Sequence, residues 1–160
     1  MTVENLIEQY EWSKRKNREY DFSQHITKKY MPYAEKCALV KGVVDSSSYV
    51  EVGDRKVYCR NTANMLFVFT MQIISRYTDL EFESDATVKC YDKLMESGMM
   101  NKLMSQIPEE EINILRGMLD MQRDDVEANT RSLISFFETK AEALQMGLDT
   151  LNKLLERTQE

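Results

Sequence analysis

The chain has 160 residues, enough for one domain, with 42% hydrophobic and 30% charged residues, and this balance excludes a disordered or fibrous protein. No apolar run approaches the ~20 residues of a membrane span, so the sequence predicts no membrane partner. The formal net charge of -6 argues against a protein that coats nucleic acid, because phosphate neutralisation requires clustered lysine and arginine.

The first third of the sequence predicts three short helices. Helical spacing of apolar residues indicates an amphipathic helix over Val3–Trp12, and a basic stretch follows it. Apolar residues four apart predict a short helix within Glu19–Met31, ending before Pro32. Pro32 then suits the first position of a helix that reaches Ser46. The predicted apolar stripe of this third helix is Tyr33, Cys37, Val40 and Val44.

Residues 49–60 change from helical spacing to alternation, which is typical of a β-hairpin. With Gly53 and Asp54 as a two-residue loop, each residue of one strand acquires a defined partner on the other. The predicted pairs are Tyr49 with Tyr58, Val50 with Val57, Glu51 with Lys56, and Val52 with Arg55.

The middle of the chain predicts the centre of the fold. Nearly every position from Met65 to Ile74 is apolar, so we expect this helix, capped by Asn61 or Thr62, to be buried all round. A helix capped by Ser84 and ended by Gly98 follows, and a short helix from Met99 to Gln106 completes this part.

Pro108 opens a long C-terminal helix with acids in its first turn, where the helix dipole favours them. Apolar residues three and four apart predict a packing seam, and polar residues dilute it around 120–132. At ~1.5 Å per residue a continuous helix would be about 75 Å long, so it either breaks near 120–132 or extends to meet a partner. The sequence thus predicts a mainly α fold, a helical bundle with one β-hairpin, divided into 1–107 and the long helix 108–160.

The end of this helix supplies the candidate partner-binding residues. They are Leu144, Leu148, Leu151 and Leu155. The stripe is broad for a free terminal helix and needs a cover, either from the chain's own core or from a second copy. The sequence leaves both covers open, and a homo-oligomer is one of the predicted states.

The basic stretch after the first helix supplies candidate phosphate contacts. They are Lys14, Arg15, Lys16 and Arg18. Aromatic residues interleave with these cations, an arrangement found where proteins contact phosphate backbones or acidic proteins. A solvated linker explains the same residues, and the overall charge keeps nucleic acid an unexpected partner.

Catalytic, cofactor and metal signatures do not emerge from the sequence. The single histidine, His25, has no neighbouring nucleophile pattern and predicts a surface or cap residue. Cys37, Cys59 and Cys90 are odd in number and widely spaced, which predicts buried reduced thiols rather than bridges or a zinc site with His25. The acids of 79–85 lack the glycine and terminal Glu of a calcium loop. We therefore expect no enzymatic activity, no cofactor and no metal.

Two segments carry a resemblance to a known group. Tyr30–Ser46, with its proline, tyrosine, alanine, glutamate and lysine series, and Leu66–Asp79 resemble small uncharacterised proteins encoded by tailed phages of Gram-positive bacteria. The resemblance covers about half of the chain and supplies no site residues. It implies a role in virion structure or assembly, with synthesis in the bacterial cytoplasm and a place in the virion.

The expected function is therefore non-enzymatic protein binding, in phage virion structure or assembly, with other proteins of the particle or further copies as partners. An acidic phage-encoded inhibitor of a host defence protein is the alternative, since an acidic surface mimics nucleic acid. A nucleic-acid-binding accessory protein that uses the basic stretch is a weaker alternative.

Overall fold

The computed structural model describes residues 1–52, 55–82 and 86–157, with side chains at 1–51, 57–82 and 86–148. This part of the chain is mainly helical, with one antiparallel hairpin and a long C-terminal helix, which confirms the predicted fold class. In chain order the elements are α1 (Val3–Arg15), a 3-10 turn (Phe22–His25), α2 (Tyr33–Ser47), β1 (Tyr49–Val52), β2 (Arg55–Tyr58), α3 (Thr62–Tyr77), α4 (Thr87–Glu96), α5 (Met99–Met104) and α6 (Glu109–Arg157).

Local capping explains several of these boundaries. The Thr2 side chain accepts a hydrogen bond from the Asn5 amide at the start of α1, and Asn61 does the same for the Asn64 amide at the start of α3. Gly98 adopts a left-handed φ of 70° between α4 and α5, a conformation that glycine takes without a steric penalty. The predicted cap Ser84 lies outside the described residues.

The hairpin has the predicted register. Tyr49 pairs with Tyr58, Val50 with Val57, Glu51 with Lys56, and Val52 with Arg55. The two tyrosine rings meet edge to face, with centroids 5.9 Å apart. The loop residues Gly53 and Asp54 lie outside the described residues, as does the side chain of Lys56.

The segment 19–31 corrects one prediction, because only Phe22–His25 forms a helical turn there. The main chain beyond it bonds instead to the end of α3: Ile26 bridges Thr78, and the Thr27 amide donates to the Tyr77 carbonyl at 2.8 Å. These non-local bonds replace the hydrogen bonds that a longer helix would have made.

Helix α3 lies at the centre of the first part of the fold. It packs against α2, and its residues Met71 and Ile74 also join an apolar cluster with α1, α4 and α5. Burial all round was nevertheless wrong, since Leu66 is 62% exposed and Phe67 is half-buried. One side of α3 therefore faces solvent.

A buried charged cluster fixes the start of α6. One carboxylate oxygen of Glu111 accepts a hydrogen bond from the Lys36 ammonium of α2 at 2.7 Å. The other oxygen accepts from the Tyr77 hydroxyl at the end of α3, at 2.6 Å, and from the Met31 amide at 3.0 Å. The Lys36 and Glu111 side chains are only 5% and 8% exposed, so each charge depends on the other.

The chain divides into two compact units, Met1–Gln122 and Arg123–Glu160. The first contains the start of α6, where Ile112, Leu115 and Leu119 are buried. The second consists of the remainder of α6, which is helical to Arg157. Residues 120–132, where the sequence favours a break, are all helical. The division between the two units falls in the same stretch.

Replacing Glu111 with Gln should lower the free energy of unfolding by about 3–5 kcal/mol at neutral pH, because Lys36 would keep a buried charge without its partner. Urea denaturation measures the change. The matched control is Glu110→Gln in the same turn, whose exposed side chain should contribute less than about 0.5 kcal/mol. Equal effects of the two substitutions would contradict the buried pair.

The difference between the wild type and Glu111→Gln should also depend on pH. Burial raises the pKa of Glu111, but hydrogen bonds from Lys36, Tyr77 and the Met31 amide outweigh it and hold the pKa below its ordinary value. The stabilisation is therefore complete above the ordinary glutamate pKa and is lost as pH falls through the lowered one. Denaturation of both proteins across acidic pH checks this, and a difference that grows on acidification would refute it.

Candidate functional site

The second unit presents a continuous apolar stripe on α6, here named the α6 face. Its described members are Leu133, Phe137, Ala141, Leu144 and Leu148. At 100° per residue these side chains fall within roughly 80° of the helix circumference. All five are exposed, with Phe137 at 66% and Leu144 at 71%. An exposed apolar stripe of this length is typical of a protein interaction surface.

The predicted partner-binding leucines continue this stripe. Leu144 and Leu148 belong to the α6 face, while Leu151 and Leu155 have helical backbone and side chains outside the described ones. From residue 133 to residue 155 the stripe advances about 3.7 residues per step, close to the helical repeat. It therefore runs nearly parallel to the helix axis.

Aromatic residues widen the α6 face on one side. The rings of Phe136 and Phe137 are 5.8 Å apart and nearly perpendicular, and the Lys140 ammonium lies 5.5 Å from the centre of the Phe136 ring. Phe136 is itself 55% exposed. The opposite side of the helix carries polar residues such as Ser135 and Glu142, so this part of α6 is amphipathic.

The basic stretch 14–18 forms the end of α1 and a tight turn. Asn17 adopts a left-handed φ of 53°, its amide donates to the Lys14 carbonyl, and the Arg18 amide donates to the Ser13 carbonyl. This bonding pattern is a Schellman motif, in which asparagine tolerates the left-handed position. The turn carries the Arg18 guanidinium back to within 5.9 Å of the centre of the Trp12 ring.

The structure separates the four predicted phosphate contacts into two pairs. Lys14 and Arg18 line a surface cleft between α1 and α5, whereas Arg15 and Lys16 are exposed and do not line it. Lys102 of α5 lies in the same cleft, a residue that the sequence analysis did not find. The cleft is lined by Tyr10, Lys14, Arg18, Glu19, Tyr20, Asp21, Phe22, Lys102, Ser105 and Gln106.

His25 is buried, which corrects the expectation of a surface residue. Its Nδ1 lies 3.2 Å from an Asp79 carboxylate oxygen, and its Nε2 lies 2.7 Å from the Tyr20 hydroxyl. The order carboxylate, imidazole, hydroxyl is that of a nucleophile relay. However, burial and the Asp79 charge raise the pKa of Tyr20, and its hydroxyl also bonds to Gln9 at 2.9 Å. These contacts favour a structural role.

The cysteines are distributed differently from the prediction. Cys90 is buried, Cys37 is half-buried and Cys59 is exposed beyond the end of β2, and none of the three is in a disulfide. Among the side chains that the structure describes, no group of three or more His, Cys, Asp or Glu residues is arranged to hold a metal ion. The described helices include none with the length and apolarity to cross a membrane.

No protein-family model matches the chain, and no curated protein or solved structure matches it either. Function is therefore inferred from the chain's own residues.

Replacing Tyr20 with Phe should lower the free energy of unfolding by about 1–3 kcal/mol, because the partners His25 and Gln9 lose the hydroxyl in a partly buried site. Urea denaturation provides the measurement. Tyr30→Phe is the matched control, since Tyr30 is 63% exposed, and its loss should stay below about 0.5 kcal/mol. If Tyr20→Phe lowers the free energy of unfolding no more than Tyr30→Phe does, the contacts of His25 with Tyr20 do not stabilise the fold.

Proposed function

We propose that the protein acts without catalysis, by binding other proteins through the α6 face. The observation that supports this most is the continuous exposed apolar stripe from Leu133 to Leu148. Burying one Leu or Phe side chain contributes roughly 1.5–3 kcal/mol. Burial of four such residues on each helix therefore exceeds the lower part of the range that association costs, about 4–15 kcal/mol.

The partner we propose first is a second copy of the same chain. A stripe that is straight and parallel to the helix axis fits another helix with the same stripe better than a flat surface. Two identical stripes cover each other around a twofold axis, so one sequence supplies both sides of the contact. Phe136 adds a further large apolar ring at its edge, in contact with the ring of Phe137.

The setting we propose is the assembly of a phage particle. The likeness of Tyr30–Ser46 and Leu66–Asp79 to small phage proteins supports it, and helix-mediated association is a common way to join structural subunits. Mass spectrometry of purified particles from the virus that carries the gene should detect the chain at a fixed copy number. Its absence from particles, together with capture of a defined host protein, would favour the inhibitor alternative instead.

Self-association is tested by sedimentation equilibrium of the wild type and two variants. Leu144→Glu places a charge in the α6 face and should weaken a dimer by about 3–6 kcal/mol, since each copy loses roughly 1.5–3 kcal/mol of apolar burial. Ser135→Glu adds the same charge on the polar side of the helix and should leave association unchanged. A monomeric wild type at every concentration, or equal weakening by both variants, would contradict the proposal.

A further inference from the structure

The cleft between α1 and α5 brings together cations that are far apart in sequence. The ammonium of Lys14 lies 4.8 Å from the centre of the Tyr10 ring, and the ammonium of Lys102 lies 4.5 Å from the same point. The two nitrogens are therefore no more than about 9 Å apart. Arg18 lines the same cleft. Two ammonium groups thus lie against one aromatic ring, and a third cation lines the same cleft of the first compact unit.

Carboxylates neutralise these cations only in part. Lys14 has an exposed ion pair with Glu11 at 3.5 Å, a type of pair that contributes little. In the portion of the chain with described side chains, Lys102 makes no ion pair, and its partners are the Tyr10 hydroxyl and the rings of Tyr10 and Phe22.

Two acids also line the cleft, but one of them is engaged elsewhere. The Asp21 carboxylate accepts a hydrogen bond from the Ser23 amide at 2.9 Å and so caps the 3-10 turn. Glu19 is exposed on the wall. The three cations that line the cleft therefore outnumber its two carboxylates.

The pKa of the Tyr10 phenol also reflects the nearby positive charges. Its hydroxyl accepts a hydrogen bond from Lys102, and this bond, with the charges of Lys102 and Lys14, lowers the pKa of the phenol despite its burial. A phenol whose pKa is lowered by neighbouring cations marks a place where negative charge is stabilised. An external anion placed between the lysines would meet the same attraction.

We propose that this cleft binds a phosphate group, contacted by Lys14, Lys102 and Arg18. A terminal phosphate carries up to two negative charges near neutral pH and a backbone phosphodiester carries one, and both offer acceptor oxygens that match two ammonium groups and a guanidinium. The group belongs either to a free nucleotide or to a nucleic-acid backbone, and both present the same chemistry here. The site is independent of the α6 face and lies wholly within residues 10–106.

The chain contains its own reporter for this site. Trp12 is the only tryptophan, and the Arg18 guanidinium lies 5.9 Å from the centre of its ring. An anion that binds Arg18 changes the surroundings of that ring. Titration with pyrophosphate, with ATP and with a mixed-sequence single-stranded oligonucleotide should therefore give a saturable change in tryptophan fluorescence at low salt.

Three variants test the assignment in the full-length chain. Lys102→Met and Lys14→Met remove a charge and retain an apolar stem, and each should weaken pyrophosphate binding about tenfold or more, since hydrogen bonds to charged groups are the stronger ones. Lys16→Met has the same effect on net charge outside the cleft and should change the affinity less than about twofold. The Lys14 variant also keeps the test decisive if the Lys102 variant fails to fold.

The two sources of phosphate give different results, and either supports the site. A free-nucleotide site binds ATP and pyrophosphate at least as tightly as the oligonucleotide. A backbone site binds the oligonucleotide more tightly, and each lysine removed lowers the slope of log affinity against log salt by about one. No saturable binding of any of the three probes at low salt, or equal weakening by Lys16→Met and Lys102→Met, would overturn the proposal.

Discussion

The first compact unit depends on the ion pair between Lys36 and Glu111. Glu111 receives hydrogen bonds from α2, from the end of α3 and from the main chain before α2, so one carboxylate joins three segments to the start of α6. Nonspecific apolar packing tolerates sliding, whereas a buried charge requires its partner at one position. The cluster therefore fixes which residue of α6 meets α2. Burial and the bond to Glu111 also raise the pKa of Tyr77, which keeps its hydroxyl protonated as a donor.

Elements with local signals were predicted correctly from the sequence, whereas the buried face of α2, which depends on the Lys36–Glu111 pair, was not. The hairpin followed from alternation and a two-residue loop, both of them local signals. In α2 the buried face is centred on Lys36, Val40 and Val43, whereas the predicted stripe from Tyr33 to Val44 lies about 60° further round the helix. A lysine is expected at the surface, so Lys36 led the sequence pattern to place the buried face of α2 elsewhere. Its partner is 75 residues away, a distance at which no local pattern reports contact.

The candidate surfaces differ in the same way. The apolar residues of the α6 face lie on one helix, so their spacing alone places Leu144 and Leu148 on the same side of it. The cleft could not be predicted in this way, because Lys14 and Lys102 belong to different helices and meet at the Tyr10 ring only in the folded chain. The Schellman turn at Asn17 reverses the chain after α1. As a result Arg18 lines the cleft, whereas Arg15 and Lys16 do not. The clustering of basic residues in the sequence therefore did not predict which of them lie together in the structure.

In the proposed homodimer, the apolar part of α6 is covered by a second copy of the chain. A single amphipathic helix in water frays, and its amides exchange with solvent rapidly unless packing stabilises it. Amide hydrogen exchange measured at low and high protein concentration tests this directly. If the homodimer forms, protection of residues 131–148 should rise with concentration while that of residues 1–122 stays constant. Protection of 131–148 that is the same at all concentrations would contradict it.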